Sequence, residues 1–590
     1  MQRETPDERP DEKAAWGSDV AAQMLRRLGF PYVSLNPGAS FRGLHDSIVN
    51  HLGNEKPAIL LCQHEDHAVA IAHGYAKATG EPMACVLHAN VGLMHGAMAL
   101  YNAYCDRVPM LVLGATGPVD AAKRRPWIDW IHTSSDQGGF VRSFVKWDDQ
   151  PASPEAMIES LCRANIISRA YPPAPVFVCL DAGLQEASLA EEPSFPDLSR
   201  YQPPALPRAA QAAVEEAAAV LMQAKQPLIL MGRCGLSDES WNQRVQLAER
   251  LGAVVMTDLK LRAAFPTDHP AHVTNPLLDY QEDARGIIAD ADVILALEWV
   301  DLEGTLRAAK RTSSPPARII SCSMDLTLQN GAHANYMGLA PADISVAATT
   351  DSFVLDLLAR LPPAPKSPWR EKRIPASASR ASDRITLDHV AVALRAAFAD
   401  PDDVTLAALP RTWRSTIWPF RSAHAYMGKD GGGGLGSGPG IAVGVATAMH
   451  TRGRHTVAVL GDGDFLMGAS AIWTAVHARI PLLLLINNNR AYHNDEIHQD
   501  AVARRRNRPV ANRWVGQRLE NPAVDIPGLA RSYGAIGIGP VQSPADLEDA
   551  INDGVNAMKQ GHVVVIDILT EAASLNHPTR DRVAEHSAAD

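Results

Sequence analysis

One stretch of the chain, residues 461–489 (GDGDFLMGASAIWTAVHARIPLLLLINNN), constrains the fold more than any other part of the sequence. An apolar run ends just before it, at Leu460, and a second apolar run ends within it, at Ile486. The intervening residues favour a helix, so the order is strand, turn, helix and second strand. Such a crossover returns the chain to the same parallel sheet. We therefore expect Asp462 and Asn489, which follow the two strands, at one edge of that sheet.

Asp462 and Asn489 offer the kind of oxygen atoms that bind a hard divalent cation. A carboxylate and an amide oxygen suit Mg²⁺ or Ca²⁺. A helix N-terminus with a cation also suits a diphosphate, which needs backbone N–H donors and a counter-charge. Gly461 and Gly463 would let the backbone pass close to a phosphate, where a Cβ atom would obstruct it. The alternative interpretation is an ordinary strand-to-helix turn in which Asp462 only caps the helix.

Composition sets the size class and argues against several partners. At 590 residues with 46% hydrophobic residues, the chain is long enough for three or four domains of roughly 100–200 residues each. The net charge is −11 and no broad basic face is visible, which argues against nucleic acid. The seven cysteines lack a CxxC pair, so reduced thiols in the cytoplasm are expected. The charged N-terminal sequence, and the lack of an apolar run of about 18–20 residues, argue against secretion and a membrane span.

Alternating strand and helix patterns predict an α/β protein with three doubly wound parallel-sheet domains. Two Pro-rich passages separate three blocks of sequence. The predicted divisions are a disordered N-terminus (1–15), a first domain (16–186), a linker (187–206), a central domain (207–361), a linker (362–383), a third domain (384–570) and a tail (571–590). The strand candidates are residues 31–36, 58–63, 84–89, 110–115, 176–180, 227–232, 253–258, 293–298, 317–322, 456–460, 481–486 and 563–569.

Two ionisable side chains in the first block lie at predicted strand ends. Glu65 follows the apolar run AILLCQ, where the strand gives way to a helix of small residues. His88 ends the next predicted strand of the block. Without a family resemblance, Glu65 fits a helix N-terminal acid that the macrodipole favours, and His88 fits a buried structural histidine.

A glycine run, residues 429–446 (KDGGGGLGSGPGIAVGVA), precedes the opening stretch. Gly431, Gly433 and Gly436 match the GxGxxG pattern of dinucleotide-binding loops, which keeps a nicotinamide dehydrogenase open as one class of function. A Rossmann loop directly follows a strand, however, and the preceding residues SAHAYMGKD are not an apolar run. The context therefore argues against a dinucleotide site.

Taken together, these motifs resemble those of enzymes that depend on thiamine diphosphate (ThDP). Three features are similar to that superfamily: the spacing of Asp462 and Asn489 along the chain, the GGLG sequence that ends at Gly436, and the GYA sequence at Gly74 after Glu65. The resemblance covers nearly the whole chain and is generic in the second block. It implies a pyrimidine-binding domain, a central domain and a diphosphate-binding domain, in that order.

The resemblance implies ThDP and Mg²⁺ as cofactors and assigns residues to them. Asp462, the Asn489 side chain and the Ala491 carbonyl would bind the metal. The Gly433 carbonyl would accept a hydrogen bond from the aminopyrimidine, and Leu435 would lie under the cofactor and bend it. Asp464 stands where the family often has Ser or Ala. The cofactor-binding residues implied are Gly433, Leu435, Gly461, Asp462, Gly463, Asp464, Asn489 and Tyr492.

Within the superfamily, the acid–base residues look like those of benzoylformate decarboxylase. His88, its spacing from Glu65 and the segment 145–153 (VKWDDQPAS) carry this likeness, whereas acetolactate synthases tend to have a TSGPG-type segment near the histidine. The resemblance implies that Glu65 relays a proton to the pyrimidine ring and that His88 acts as acid or base at the substrate. One departure is Ala39, which stands where benzoylformate decarboxylase has a serine that touches substrate. Ser40 is the adjacent candidate to replace it.

The implied activity is decarboxylation of a 2-oxo acid, either alone or with ligation of the product to a second carbonyl compound. The alternatives are an acetolactate-synthase-like carboligase, a lyase of the 2-hydroxyacyl-CoA or oxalyl-CoA type, and a non-catalytic ThDP-binding protein. The resemblance also implies a homodimer or homotetramer in which Glu65 of one subunit faces the diphosphate site of another. Members of the superfamily hold FAD or ADP in the central domain, but residues 231–238 (MGRCGLSD) establish neither here.

Two further groups have open roles. His493 and Asp495 follow the predicted metal loop, where the family has substrate-side residues, and a solvated loop is the alternative. The arginine-rich segment 503–518, with its cluster at Arg504–Arg508, can clamp carboxylates or phosphates, including those of a CoA ester. A solvated helix face with local ion pairs is the other interpretation of that segment.

Overall fold

The protein folds around three parallel β-sheets, one in each block of the sequence. Every strand pairing described within them is parallel. The predicted fold class, α/β with three parallel-sheet domains, is therefore confirmed, whereas the domain and linker boundaries stay predictions. The structure is a computed structural model and describes residues 2–7, 13–276, 282–309, 317–328, 337–372 and 383–571. Parts of the predicted N-terminal segment and second linker, and nearly all of the tail, lie outside these residues.

The first sheet contains the five strands predicted for its block and one short addition. Its strands are β1 (Tyr32–Leu35), β2 (Ala58–Leu61), β3 (Met83–Val86), β4 (Met110–Thr116), β5 (Asp148–Asp149) and β6 (Pro175–Asp181). The helices are α1 (Gly17–Arg27), α2 (Arg42–Asp46), α3 (Glu65–Thr79), α4 (Ala89–Cys105), α5 (Ile128–Ile131), α6 (Pro154–Arg169) and α7 (Ala182–Gln185). The strand order is β2-β1-β3-β4-β6-β5, so β1, β2 and β3 are neighbours.

The second sheet contains the four strands predicted for its block and the additional strand β11. Its strands are β7 (Pro227–Met231), β8 (Val254–Thr257), β9 (Val293–Leu297), β10 (Arg318–Cys322) and β11 (Ile344–Val346). The helices are α8 (Gln211–Gln223), α9 (Asp238–Leu251), α10 (Glu282–Asp290), α11 (Leu302–Ala308) and α12 (Thr350–Leu358). The strand order is β11-β10-β9-β7-β8, and it reverses direction between β7 and β9.

The third sheet contains the three predicted strands of its block, and β12 and β15 were not predicted. Its strands are β12 (Val404–Ala408), β13 (His455–Gly461), β14 (Leu482–Asn488), β15 (Ile536–Val541) and β16 (Val563–Leu569). The helices are α13 (Leu387–Ala396), α14 (Gly438–His450), α15 (Asp462–Gly468), α16 (Ala471–His477), α17 (His493–Arg505), α18 (Ile526–Ser532) and α19 (Pro544–Lys559). The strand order is β12-β13-β14-β16-β15.

Both faces of the first and third sheets are buried, as parallel sheets require. On β3, Cys85 belongs to one hydrophobic core and its neighbour Val86 to another. On β13, Ala458 and Val459 are divided in the same way. Cys85 and Ala458 share a single core, so the first and third blocks pack against one continuous apolar interior.

Helices α3 and α14 join these two blocks at very close range. A Cβ atom at Gly74 of α3 would lie 2.1 Å from the carbonyl oxygen of Ile441 in α14. A Cβ atom at Gly444 of α14 would lie 2.0 Å from the carbonyl oxygen of Ile71 in α3. Both positions therefore need glycine, because a side chain would push one backbone away from the other.

We expect Gly74→Ala to lower the free energy of unfolding by about 1–3 kcal/mol, because α3 and α14 must separate to admit the methyl group. Chemical unfolding followed by circular dichroism measures the change. Gly286→Ala in α10 is the matched control, since nothing lies within 4 Å of the added Cβ atom there. Helix propensity alone then makes the control neutral or stabilising by up to about 1 kcal/mol. Equal losses in both variants would contradict the packing argument.

Two expectations from the sequence concern the state of the cysteines and a membrane span. All seven cysteines carry free thiols, and six of them are buried. Among the described residues, none of the helices combines the length and the apolar character that crossing a membrane requires.

Candidate active site

A cavity of about 780 Å³ opens at the carboxyl ends of β13 and β14. The parallel register pairs Gly461 with Asn487, so the residues that follow the two strands lie side by side. Asp462, Asn489 and Ala491 all line this cavity. The structure thus brings the three predicted metal ligands to one wall.

Asp462 is the first residue of α15 and is 3% exposed. Its Oδ2 atom is buried without a hydrogen-bond partner among the described residues. Burial raises the pKa of this carboxyl group to about 6, against the opposing effect of nearby backbone N–H groups such as that of Gly463. A buried carboxylate oxygen without a donor is costly, and a bound cation would offset that cost. The residues present therefore fit a divalent cation, for which Asn489 and Ala491 offer neutral oxygens.

Side chains hold the asparagine-rich turn after β14 in place. The Asn488 side chain is buried, donates to Oδ1 of Asp567 (2.8 Å) and accepts from the N–H of Arg490 (3.0 Å). Oδ1 of Asn489 accepts from the N–H of Ala491 (3.0 Å). Arg490 has a φ of +55°, a left-handed conformation that costs a non-glycine residue of order 1 kcal/mol or more. This strained turn keeps both Asn489 and Ala491 on the cavity wall.

The two glycines that flank Asp462 have different surroundings. A Cβ atom at Gly461 would meet nothing within 4 Å, so the backbone there faces open space in the cavity. A Cβ atom at Gly463 would lie 2.5 Å from the ring of Tyr492. Tyr492 also lines the cavity, and its N–H donates to the carbonyl of Gln517 (2.8 Å). Gly461 therefore leaves room for a phosphate beside Asp462, and Gly463 makes room for the tyrosine ring.

Asp464 holds the glycine run against α15. Its Oδ1 atom accepts from the N–H groups of Gly436 (2.6 Å) and Gly438 (3.4 Å), and burial raises its pKa. Gly433 and Gly436 have φ values of +71° and +98°, which favour glycine. Between them, Leu435 is 49% exposed and lines the cavity. The contacts of Asp464 therefore position the loop that presents this leucine.

The glycine run does not follow a strand in the described structure, as a dinucleotide-binding loop does. Tyr426, shortly before it, makes only an isolated bridge with Leu406. A Cβ atom at Gly431 would lie 2.6 Å from Oδ1 of Asp106, at the end of α4. Gly431, the first glycine of the GxGxxG match, thus packs against the first block of the chain.

A second group of polar residues lies at the carboxyl ends of three neighbouring strands of the first sheet. Ser40 follows β1, Glu65 follows β2 and His88 follows β3. The carboxyl ends of parallel strands meet at one edge, so these residues of the loops belong to one region. Ser40, which the sequence indicated as the candidate to replace the missing serine, thus lies in the same region as Glu65 and His88.

Glu65 begins α3 and is 6% exposed. Its Oε2 atom lies 3.1 Å from Nδ1 of His95, a residue of α4 that the sequence did not indicate. A Cβ atom at Gly92 would lie 2.9 Å from Oε1, so α4 can approach the carboxylate only because it has glycine there. Nδ1 of His64 accepts from the N–H of Asp66 (3.1 Å) and caps the helix that carries Glu65.

Ser40 fixes the orientation of His88. Its Oγ atom lies 2.8 Å from Nδ1 of His88 and accepts from the N–H of Ala89 (3.1 Å). A Cβ atom at Gly38 would lie 2.4 Å from the Cβ of His88, so the loop needs glycine at this approach. Burial, helped by the neighbouring His132 ring, lowers the pKa of His88. A neutral imidazole with Nδ1 engaged leaves Nε2 for proton transfer.

The two groups of residues do not share one cavity within a single chain. Every described residue that lines the larger cavity, of about 780 Å³, comes from residues 386–571. Glu65 and His88 lie on the first sheet, at the N-terminal ends of α3 and α4. Glu65 and His88 are therefore not among the described residues that line the cavity around Asp462.

The other end of α4 contacts the glycine run. Asn102 is fully buried, and its Oδ1 atom accepts from the N–H groups of Gly432 (3.1 Å) and Gly434 (3.4 Å). Its Nδ2 atom donates to Oγ of Ser437 (3.1 Å). No sequence signal indicated this residue, because its partners belong to a different block of the chain. The helix therefore carries His88 at its N-terminal end and contacts the glycine loop near its other end.

Two substrate-side candidates lie beside the metal loop. His493 and Asp495 both line the cavity, in the first turn of α17. Nδ1 of His493 lies 3.3 Å from Oε2 of the buried Glu496. Both residues lie on a helix and not in a loop, and Asp495 is exposed to solvent as the alternative expected.

The arginine-rich segment is exposed and engaged in ion pairs. Arg504 lies 2.8 Å from Asp500, and Arg518 lies 2.9 Å from Glu496. The residues of α17 that line the cavity stop at Ile497, so the cluster at Arg504–Arg508 begins beyond them. Local ion pairs on a solvated surface therefore describe the segment in this structure.

Carboxylate and amide oxygens beside a cavity of about 780 Å³ on one sheet, with a glutamate and a histidine at the edge of another, are typical of a cofactor-dependent α/β enzyme. Family models of thiamine pyrophosphate enzymes match the chain in three places. They are the N-terminal TPP binding domain over residues 15–140, the central domain over 214–340 and the C-terminal TPP binding domain over 409–568. The protein therefore belongs to the thiamine pyrophosphate enzymes, a family with decarboxylase and carboligase members whose cofactor is ThDP.

Named relatives span nearly the full chain at low identity. An acetolactate synthase large subunit from Buchnera aphidicola is 24% identical, over 96% of this chain and 96% of its own. A benzoylformate decarboxylase from Pseudomonas aeruginosa is 25% identical, over 93% of this chain and 98% of its own. The crystal structure of benzoylformate decarboxylase from Polynucleobacter necessarius has a TM-score of 0.78 at 20% identity, covering 94% of this chain and 99% of its own. This crystal structure shows that the two proteins share a fold.

Proposed function

We propose that this protein decarboxylates a 2-oxo acid, with ThDP and Mg²⁺, in the manner of the benzoylformate decarboxylase type. The observation that carries the proposal is the pairing of His88 with Ser40 at the same sheet edge as Glu65 (Nδ1 to Oγ, 2.8 Å). Relatives named benzoylformate decarboxylase support this choice of reaction. The substrate side would then contain a histidine, which can transfer a proton at the carbonyl group.

Each group of residues has a separate task in this proposal. When bound, ThDP supplies the electron sink that decarboxylation requires. Asp462, Asn489 and the Ala491 carbonyl would hold Mg²⁺ against the diphosphate, and Gly461 leaves room for the phosphate oxygens. Oε2 of Glu65 would exchange a proton with the pyrimidine ring of the cofactor. Nε2 of His88 would transfer a proton at the substrate, while Ser40 keeps its Nδ1 engaged.

The proposal includes a homodimer, the smallest assembly that completes the site; a tetramer would pair two such dimers. Among the described residues, the cavity around Asp462 is lined from residues 386–571, and a second copy would bring Glu65 and His88 to it. Exposed apolar side chains on two helices support this, among them Met94 of α4 (52%) and Met467 of α15 (58%). A cytoplasmic location completes the proposal and is supported by seven free cysteines.

A product panel tests the proposed reaction. We expect purified protein with ThDP and Mg²⁺ to release CO₂ from an aromatic 2-oxo acid and to form the matching aldehyde. Acyloin or acetohydroxy acid as the main product would instead support a carboligase of the acetolactate synthase type. Release of CO₂ only from a CoA thioester would support the lyase alternative. If the protein binds ThDP but turns over none of the compounds tested, the proposal is wrong and a non-catalytic ThDP-binding protein is supported.

A further inference from the structure

A second cavity, of about 450 Å³, lies where the three blocks of the chain meet. It opens at the carboxyl ends of β7 and β9, where the strand order of the central sheet reverses. Ligands of open parallel sheets bind at such switch points. Lys77 of α3, Arg233 after β7 and Glu298 after β9 contribute to its wall. Much of the remaining wall is apolar and comes from Val108, Pro172, Pro173, Leu206, Leu236, Leu261 and Met427.

The acidic side chains in and around this cavity are all paired with cations. Asp325 and Glu298 share Arg233, and Asp325 also accepts from Arg107. The ion pairs are Lys77–Asp106 (2.6 Å), Arg107–Asp325 (2.8 Å), Arg233–Asp325 (2.9 Å), Arg233–Glu298 (3.6 Å) and Arg244–Asp351 (2.8 Å). These pairs account for four acidic groups and four basic groups, so they leave no net charge.

Arg262 is the additional cation on the wall of the cavity. Its Nε atom donates to the carbonyl of Cys234 (2.9 Å) and its Nη1 atom donates to the carbonyl of Lys77 (3.4 Å). No carboxylate of the described residues lies within ion-pair distance of it. Burial lowers the pKa of the guanidinium group. An unpaired, partly buried cation is costly, and an anionic ligand beside it would offset the cost.

Other groups around the cavity also favour an anion. The Nε atom of Arg233 is buried without a hydrogen-bond partner among the described residues. Ser237 and Ser240 at the N-terminus of α9, and Thr349 at the N-terminus of α12, line the same cavity. Helix N-termini stabilise negative charge through their unpaired N–H groups and the helix dipole. Three independent features thus point to a negatively charged ligand.

The place where a nucleotide diphosphate would bind is already taken by this chain. The N–H of Gly235, in the turn after β7, donates to Oδ2 of Asp351 (2.9 Å). A Cβ atom at Gly235 would lie 2.0 Å from the same oxygen, so Asp351 fills the space beside the turn. A diphosphate would bring several negative charges next to this carboxylate, whereas the described wall of the cavity has one cation, Arg262, without an ion-pair partner. These contacts disfavour FAD and ADP and favour a ligand with one negative charge.

We propose that this cavity binds a monocarboxylate with an apolar body, whose carboxylate pairs with Arg262. The apolar wall accommodates the body of the ligand, and the charge of Arg262 is then balanced. Among the described residues, this cavity shares no lining residue with the larger cavity, which is lined from residues 386–571. The proposal stands whether or not the reaction proposed above is correct.

The test uses 4-bromobenzoate as the probe and 4-bromobenzamide as its neutral counterpart, both titrated into holoenzyme by calorimetry. We expect the benzoate to bind at least about tenfold more tightly than the amide, because a charged hydrogen-bonded pair is lost with the amide. In soaked crystals, the anomalous signal of bromine should lie in the second cavity, beside Arg262. A bromine signal confined to the cofactor cavity would overturn the proposal, as would equal binding of the two probes.

Two variants and one control complete the design. Arg262→Gln removes the charge, and Ser240→Trp fills the cavity without altering Arg262; each should weaken binding of the benzoate about tenfold or more. Arg318→Gln is the matched control, since Arg318 is half exposed and lies 3.9 Å from Asp343 outside the cavity. It should bind like the unchanged protein. If Arg262→Gln does not fold, Ser240→Trp and the position of the anomalous bromine signal decide whether the benzoate binds in the second cavity. If ADP at the same concentration displaces the probe completely, the choice of a monocarboxylate as the ligand class is wrong.

Discussion

Asp462→Asn is expected to abolish the Mg²⁺-dependent binding of ThDP and to lower activity by at least about 100-fold. The substitution keeps the shape of the side chain and removes the charge that a cation would neutralise. The effect should be large because Oδ2 of Asp462 is buried without another partner among the described residues. Calorimetric titration with ThDP in the presence and absence of Mg²⁺ measures the loss.

The pH dependence of cofactor binding offers a second measurement on the same residue. Burial raises the pKa of Asp462 to about 6, so protons compete with the cation below that pH. Apparent Mg²⁺ affinity in the unchanged protein should fall about tenfold for each pH unit below 6. Asp549→Asn, on the exposed face of α19, is the matched control and should leave both measurements unchanged. Normal cofactor affinity in Asp462→Asn would remove the metal assignment.

Glu65→Gln is expected to lower turnover by about 10²–10⁴-fold while ThDP binding stays within a few-fold of normal. Glutamine can still contact His95, but it cannot exchange a proton with the cofactor ring. Steady-state kinetics and calorimetry on the same preparation separate the two effects. Glu159→Gln, on an exposed part of α6, is the matched control and should retain full activity. If Glu65→Gln keeps the turnover of the unchanged protein, the proton-transfer role of Glu65 is wrong.

The two inactive variants together test the proposed dimer. A heterodimer of Asp462→Asn and Glu65→Gln chains would contain one intact site, built from the unchanged Asp462 half of one chain and the unchanged Glu65 half of the other. Random pairing then gives about a quarter of the normal activity on co-expression. Failure to recover any activity, with heterodimers shown to be present, would mean that each site is built within one chain.

Much of the architecture could be predicted because the apolar runs of a parallel sheet are long and end sharply. The strands β13 and β14 were predicted from their runs, and the right-handed crossover rule placed Asp462 and Asn489 at one edge. Three of the four strands that the sequence did not reveal, β5, β11 and β15, are short or weakly patterned. Strand β5 has two residues, and β15 contains glycine and proline, so neither has the regular apolar pattern of a buried strand.

The contacts that position the candidate site could not be predicted, because they join distant parts of the chain. His95 meets Glu65 only when α3 and α4 pack together, and that approach depends on Gly92. Asn102 is in the first block, whereas the glycine loop that it contacts is in the third. Asp464 was singled out as unusual, but its contacts with the loop appear only in three dimensions. Such contacts have no local pattern, since they depend on how separate sheets pack.

Helix α4 connects places that would belong to different reaction centres in the proposed dimer. The helix has 17 residues, and the part from His88 to Asn102 extends about 21 Å. Because α4 joins the two places, we expect coenzyme binding at one site to change the affinity of the other site for coenzyme. Binding at the two sites should then be cooperative, and the binding isotherm should differ from that of two identical, independent sites.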